Sequence, residues 1–136
     1  MALAKLQLTA LPGIPMVQPG DDLCGIILDA VARAEITLKP QDVLVVAQKV
    51  VSKAEGRVIP LASVTPRPEA RVWAEKTDKD PRLVDLILTE YKSVVRHRPG
   101  VMIVEHRLGF IMANAGIDQS NVGPIEDGEH AILLPV

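Results

Sequence analysis

Residues 43–46 read Val-Leu-Val-Val, a continuous apolar run in which three of the four side chains are β-branched. Such a run is typical of a strand covered on both faces, because a strand with one solvated face alternates polar and apolar residues. A Lys-Pro-Gln-Asp turn at residues 39–42 precedes it. Residues 47–55 are predicted to continue the strand up to a break at Gly56, and a further short strand is predicted over residues 57–59.

Two long helices are indicated, each by a capping residue followed by a one-sided apolar stripe. The Asp-Asp pair at residues 21–22 starts the first helix, since a carboxylate accepts the amide hydrogens that lack partners in the first turn. Asp80 and Pro81 start the second, with Asp at the cap and Pro at the first helical position. Its apolar positions 83, 84, 87, 88, 91, 94 and 95 predict a helix that ends near residues 96–100. A shorter helix is predicted after Pro68.

The remaining apolar segments are short and are separated by residues that favour turns. Strands are predicted over residues 6–8, 101–105, 108–112 and 131–136, and loops over residues 10–22 and 113–130. With only three aromatic residues, the core must be built from Val, Ile, Leu and Ala. We therefore expect an α+β (mixed α/β) fold with two main helices and five or six short strands, in one unit over residues 1–136.

Length, charge and composition exclude several classes of protein. A chain of 136 residues has the length of one domain. A net charge of −2 and the scarcity of aromatic residues argue against a nucleic-acid-binding protein. The single Cys24 excludes an intramolecular disulfide and a cysteine-based zinc site. No apolar run is long enough to span a membrane and no secretory signal is visible, so a cytoplasmic location is expected.

The first candidate for chemistry is the loop Asn-Ala-Gly-Ile-Asp-Gln-Ser-Asn at residues 114–121. Asp118 and Asn121 offer oxygen ligands, with Ser120 between them, and hard oxygen ligands suit Mg²⁺ or Mn²⁺ on a phosphate substrate. The alternative is an Asx-type turn, in which such side chains bond their own backbone. From the residues alone the turn is the favoured interpretation, because such turns are common.

Two other segments could contact a nucleotide. In residues 48–56, a lysine at the end of the predicted strand could reach a phosphate as a point charge and Ser52 could add a hydroxyl, although a solvated basic loop, with Lys53 paired to Glu55 or another acid, is the more frequent arrangement. Residues 11–15, Leu-Pro-Gly-Ile-Pro, form a stiff loop with free backbone amides, and a rigid connector is its simplest interpretation. Neither GxxxxGK[ST] nor GxGxxG occurs in the chain.

Four segments together resemble one family in order and spacing. They read ALPGIPMVQPGDDL (10–23), DVLVVAQKVVSKAEGR (42–57), KDPRLVDLILTEYKSVVR (79–96) and MANAGIDQSNV (112–122). The combination resembles the coenzyme F420-0:L-glutamate ligase family, also called F420:γ-glutamyl ligase, along essentially the whole chain. The resemblance implies a GTP-dependent ligase that adds L-glutamate to the deazaflavin precursor F420-0. The implied reaction passes through an acyl phosphate, with a divalent metal neutralising the charge on the transferring phosphoryl group.

The resemblance also implies roles for individual residues. It places eight residues around GTP: Leu11, Pro12, Gly13, Ile14, Ala47, Gln48, Lys53 and Asn121. Among them, Lys53 would reach the phosphates, and Ala47 would contact GTP through its backbone. Asp118 would be a ligand of the divalent metal, Mg²⁺ or Mn²⁺. No catalytic side chain is implied.

The chain departs from the family in length, since family members are roughly twice as long. It therefore resembles the N-terminal half of a ligase, without the second acidic metal ligand and the later glycine-rich loop. We expect little or no ligase activity from this chain alone, and we expect a homodimer, as in the family. The alternative is a non-catalytic binding or assembly module that keeps the ligase fold.

Overall fold

The computed structural model describes residues 5–119 and 129–136. These residues form four α-helices: α1 (Leu23–Arg33), α2 (Gln48–Ala54), α3 (Pro68–Thr77) and α4 (Pro81–Glu90). They also form five strands: β1 (Val58–Pro60), β2 (Tyr91–Arg98), β3 (Val101–His106), β4 (Ile111–Ala113) and β5 (His130–Ile132). β1 pairs with β5, and β2, β3 and β4 form a second sheet in that order, with every pairing antiparallel. The predicted α+β fold is confirmed.

Both predicted helix starts are confirmed by their capping contacts. The Asp22 carboxylate accepts a hydrogen bond from the Gly25 amide at 3.0 Å, so α1 begins at Leu23. The Asp80 carboxylate accepts from the Arg82 amide at 2.8 Å, and Pro81 occupies the first turn of α4. Each cap satisfies an amide hydrogen that the first turn of a helix leaves without a partner.

The core lies where α3 and α4 pack against the three-stranded sheet. Leu61, Ile87, Met102 and Val104 are fully buried there, and the small Ala70 lies on the inner face of α3. The core is aliphatic, as the scarcity of aromatic residues predicts. None of the helices in the described ranges combines the length and the apolar character needed to cross a bilayer.

The second long helix is shorter than predicted. α4 ends at Glu90, and the chain continues directly as β2, which turns at Pro99-Gly100 into β3. The apolar residues at 91, 94 and 95 keep a helical spacing, but they lie in a segment rich in residues that favour strands. Pairing with β3, in which Val94 faces Val104, satisfies the backbone of this segment and outweighs the helical pattern.

The predicted strand over residues 43–46 is also wrong. These residues form no strand, and the side chains of Val43 and Val45 are each 83% exposed. Residues 47–55 do not continue a strand either, because residues 48–54 form α2. Residues 6–8 are likewise irregular, with Leu6 87% exposed. A strand needs a partner, and no described residue supplies one to these two segments.

A buried carboxylate joins the two sheets. Glu90, at the end of α4, accepts hydrogen bonds from the guanidinium groups of Arg57 at 2.7 Å and Arg107 at 3.2 Å. Arg57 also donates to the Leu134 carbonyl just after β5 at 3.0 Å. His106 is fully buried beside them, with Nε2 3.2 Å from the Glu90 Oε2 atom. We call Arg57, Glu90, His106 and Arg107 the Glu90 cluster.

The ionisation of Glu90 follows from this arrangement. Burial of the carboxyl opposes its ionisation, but the two guanidinium groups outweigh burial and hold the pKa of Glu90 below its usual value. The lowered pKa means that the ionised form stabilises the folded state above the unfolded-state pKa of about 4.3. This stabilisation is lost as the pH falls through the folded-state pKa.

Glu90→Gln should lower the free energy of unfolding at pH 7 by about 3 kcal/mol, because it leaves two partly buried guanidinium groups without their counter-charge. It should also reduce the loss of stability between pH 7 and pH 3. Urea denaturation at several pH values measures both effects. Glu75→Gln, on the exposed face of α3, is the matched control and should change stability by less than about 0.5 kcal/mol. Equal pH dependence in the wild type and the Glu90 variant would contradict this account.

Candidate functional site

The short helix α2 is attached to the end of β5 by two side chains on one of its faces. The Ser52 hydroxyl is fully buried and donates to the Leu133 carbonyl at 2.7 Å. The Gln48 amide donates to the Ser52 hydroxyl at 2.8 Å and to the same carbonyl at 3.3 Å. Gln48 and Ser52 are four residues apart, a spacing that places both on the same helix face. These bonds fix both the position and the rotation of α2.

Asp118 lies beside α2 on a segment that also pairs with β5. Its backbone exchanges two hydrogen bonds with Ile132, at 2.9 and 2.8 Å. Its carboxylate forms an ion pair with Lys49 of α2, at 2.7 Å between Oδ2 and Nζ. Both side chains are about one-third exposed or less, so this charged pair remains within reach of a ligand. The structure thereby brings together Asp118 and the helix that carries the candidate phosphate-binding lysine.

The turn before Asp118 requires its small residues. Asn114, Ala115 and Gly116 all have positive φ values, of 54°, 53° and 71°. A Cβ atom at Gly116 would lie 2.7 Å from the Met112 sulfur and 2.9 Å from the Leu134 side chain. The space beside the Gly116 backbone is therefore occupied by side chains of this chain. This close packing positions the segment that carries Asp118.

Lys49 is the residue that the sequence analysis did not select. Lys53 was chosen instead, and the structure places it half-buried near the end of α2. Lys49 and Lys53 are four residues apart and therefore lie on one face of the helix. If residues 48–54 are read as a helix, Lys49 lies on the same face as Lys53. If they are read as a strand, as the sequence analysis predicts, the two lysines have no such relation. Its contact with Asp118 joins segments 69 positions apart and has no local sequence signal.

The proline-rich loop is held beside α1. Gly13 has a φ of 71°, and its carbonyl accepts a hydrogen bond from Arg33, the last residue of α1, at 3.3 Å. Pro12 is exposed, whereas Leu11 and Ile14 are half-buried. Further along the loop, the Gly20 amide donates to the last residue of α2 at 2.8 Å. The predicted loop over residues 10–22 is thus confirmed, and it contacts both α1 and α2.

The other predicted site residues have different environments. Ala47 is the N-cap of α2 in an extended conformation, and its side chain makes no capping hydrogen bond. Gln48 uses its side-chain amide to hold α2 against Leu133, the residue after β5, and its predicted contact with GTP remains a prediction. Asn121 and Ser120 lie outside the described residues, and their predicted roles remain predictions.

The donor atoms at Asp118 fit a divalent cation in part. A carboxylate oxygen is the ligand type that Mg²⁺ and Mn²⁺ prefer. Within residues 5–119 and 129–136, however, no group of three or more His, Cys, Asp or Glu side chains could hold a metal ion. The described residues therefore offer fewer than three such ligands in any one place, with Asp118 next to a lysine here, and further ligands would have to come from water, a nucleotide or another polypeptide segment.

Comparison with known proteins identifies the family. The family model described as F420-0:Gamma-glutamyl ligase matches residues 13–136, which is most of the chain. The chain belongs to this family. The F420-0:gamma-glutamyl ligase resemblance found in the sequence is thereby confirmed. The matched region includes α1, α2, the segment with Asp118 and part of the proline-rich loop.

Curated relatives agree with this assignment. The chain is 44% identical over 133 residues to the coenzyme F420:L-glutamate ligase of Methanopyrus kandleri, covering 98% of this chain and 49% of the relative. It is 43% identical over 117 residues to the ligase of the same name from Methanothermobacter thermautotrophicus, covering 86% and 46%. The Halorubrum lacusprofundi ligase is 38% identical over 136 residues, covering 96% and 50%. The chain spans about half the length of the curated relatives it matches.

Ser52→Ala should lower the free energy of unfolding by about 1–3 kcal/mol, because it removes a buried donor from the Leu133 carbonyl and one of the two acceptors of the Gln48 amide. Ser63→Ala is the matched control, since Ser63 also donates to a carbonyl at 2.7 Å but is exposed. That variant should change stability by less than about 0.5 kcal/mol. Urea denaturation compares the two, and equal losses would show that burial of the Ser52 hydrogen bond is unimportant.

Proposed function

We propose that this chain forms part of the site at which L-glutamate is ligated to F420-0 at the expense of GTP and with a divalent metal. The observation that carries the proposal is the ion pair between Asp118 and Lys49, on the face of α2 that also presents Lys53. Membership of the ligase family and the names of the curated relatives support the coarser conclusion, an F420 glutamate ligase.

Two lysines on one helix face suit the binding of phosphates. Each ammonium group is a compact point charge that can approach a phosphate oxygen from several directions. In the proposal, Lys49 and Lys53 orient the phosphates of GTP, and the attachment of α2 to Leu133 fixes where these charges point. Because α2 is held by a buried hydrogen bond, the backbone that carries its lysines needs little reorganisation when the nucleotide binds.

Asp118 would be the metal ligand on this chain, with Mg²⁺ or Mn²⁺ as the cation. When bound, the metal would neutralise the charge on the transferring phosphoryl group. The Lys49 ammonium contacts the Oδ2 atom of this carboxylate, so Lys49 would turn to a phosphate oxygen of the nucleotide if that atom bound the metal. In this scheme Lys49 orients the Asp118 carboxylate before substrates arrive.

The proposed reaction has two steps. A carboxylate oxygen of F420-0 attacks the γ-phosphorus of GTP, the bond to the β-phosphate oxygen breaks, and GDP leaves. The amine of L-glutamate then attacks the acyl carbon, phosphate leaves with the electron pair of the carbon–oxygen bond, and the amine loses a proton. Leu11–Ile14, Ala47, Gln48 and Asn121 are proposed to contact the guanine nucleotide.

The length of the relatives supports a further part of the proposal. Because the chain spans half of each relative, we propose that it has little ligase activity alone and that the remaining half supplies the other ligands. A homodimer of the complete enzyme is proposed as well. The low activity and the homodimer are proposed for the complete enzyme and its parts, whereas the Asp118–Lys49 ion pair lies within this chain.

The test is a thermal-shift titration with GTP, with and without Mn²⁺. It uses the 136-residue chain and a chimera in which this chain replaces the matched part of the Methanopyrus kandleri ligase. At 100 times the dissociation constant, ligand binding stabilises the folded state by about 2.7 kcal/mol. In a domain of this size, that corresponds to a rise in Tm of roughly 10 °C.

Asp118→Asn should abolish the metal-dependent part of the shift and the glutamylation of F420-0 by the chimera. Asp78→Asn is the matched control, because it makes the same change at an exposed residue with a positive φ, which asparagine tolerates. It should retain both properties. If neither the chain nor the chimera is stabilised by GTP and metal, the proposal is wrong and a non-catalytic binding or assembly module is favoured.

A further inference from the structure

Exposed apolar side chains are concentrated in the part of the chain that precedes α2. Val43 and Val45 are each 83% exposed, and Leu44 between them is 58% exposed. Leu6 and Leu8, near the start of the described residues, are 87% and 84% exposed. A concentration of exposed apolar side chains is typical of an interface, because burying apolar surface away from water is favourable.

The backbone of residues 43–46 is also without partners among the described residues. The last backbone hydrogen bond before this segment joins the Asp42 amide to the Lys39 carbonyl, and the next joins Val50 to Ala47. The segment has the composition of a strand that is covered on both faces. Its backbone, however, has no hydrogen-bond partner among the described residues, and the side chains of residues 43–45 are exposed. Residues 43–46 therefore form no strand because no described residue pairs with their backbone.

Residues 7–11 and residues 42–44 border one groove. The groove has a volume of about 550 Å³, and its walls include Leu11 from the N-terminal segment, Ile27 and Val31 from α1, and Val43 and Leu44. Its lining combines side chains from α1 with Val43 and Leu44, whose backbone has no partner among the described residues. A groove built in this way fits a strand that adds to residues 43–46 and places its apolar side chains against α1.

We propose that this groove is covered by the polypeptide that corresponds to the other half of the ligase, through a strand that pairs with residues 43–46. The family match includes these residues, and the relatives contain about as much chain again as the part matched here. Residues 43–46 lead directly into α2, so a strand paired with them would lie next to the helix that carries Lys49. The proposal rests on family membership and does not depend on the proposed reaction.

The test measures the same substitution in two settings. Val43→Lys combined with Val45→Lys places charges on side chains that are exposed in this chain, so its Tm should change by less than 2 °C, the shift expected for about 0.5 kcal/mol. In the chimera with the Methanopyrus kandleri ligase, the same change should lower Tm by roughly 10 °C, because the charges become buried against the added strand. Val72→Lys, at a half-exposed position on α3, is the control and should be mild in both settings.

A second measurement identifies the occupant. The isolated 136-residue chain should be monomeric by light scattering at micromolar concentration and should bind a hydrophobic dye that the chimera does not bind. If the isolated chain is a dimer that Val43→Lys and Val45→Lys dissociate, a second copy covers the groove and the proposal is wrong. Equal effects of the double substitution in the chain and the chimera would also overturn it. If the unsubstituted chimera does not glutamylate F420-0 but the double substitution still lowers its Tm as expected, the proposed function is wrong and the proposed interface stands.

Discussion

The ion pairs of Glu90 are the constraint on which the rest of the structure depends. This carboxylate lies where the end of α4, the strand β1 and the loop after β3 meet, and it binds Arg57 and Arg107 there. Arg57 also bonds the carbonyl of Leu134, so the two-stranded sheet is held against the helices and the larger sheet. Each charge is partly removed from water, and the cluster is therefore stable only when all partners are in place. Its effect is to fix the position of β5.

The candidate site depends on that position. β5 holds Asp118 through two backbone hydrogen bonds to Ile132, and the residue after it, Leu133, holds α2 through Ser52. Asp118 and Lys49 thus meet because both are attached to one short strand. A change in the Glu90 cluster should therefore affect the site as well as stability, although the cluster itself takes no part in the proposed chemistry.

Much of the fold was predictable because its signals are local. Asp22 and Asp80 cap helices with their own neighbouring amides, and Pro81 has its effect at the position it occupies. The strand after Glu90 was missed because its apolar residues also fit a helix, and only pairing with β3 decides between the two. At the site, Asp118 was selected from the chemistry of its side chain and the resemblance to a family. Its partner Lys49 was missed, because no local pattern connects residues so far apart.

The sequence by itself determined the aliphatic core, the capped helix starts, the loop over residues 10–22 and the family. Each of these follows from composition, nearest neighbours or an ordered set of motifs. The tertiary structure decided where α4 ends, which lysine meets Asp118 and that residues 43–46 form no strand here. These outcomes depend on the competition between local preference and contacts with distant segments. Val43 and Val45 show this competition most directly. Both favour a strand locally, but a strand forms only when another backbone supplies hydrogen-bond partners, and both side chains are exposed here.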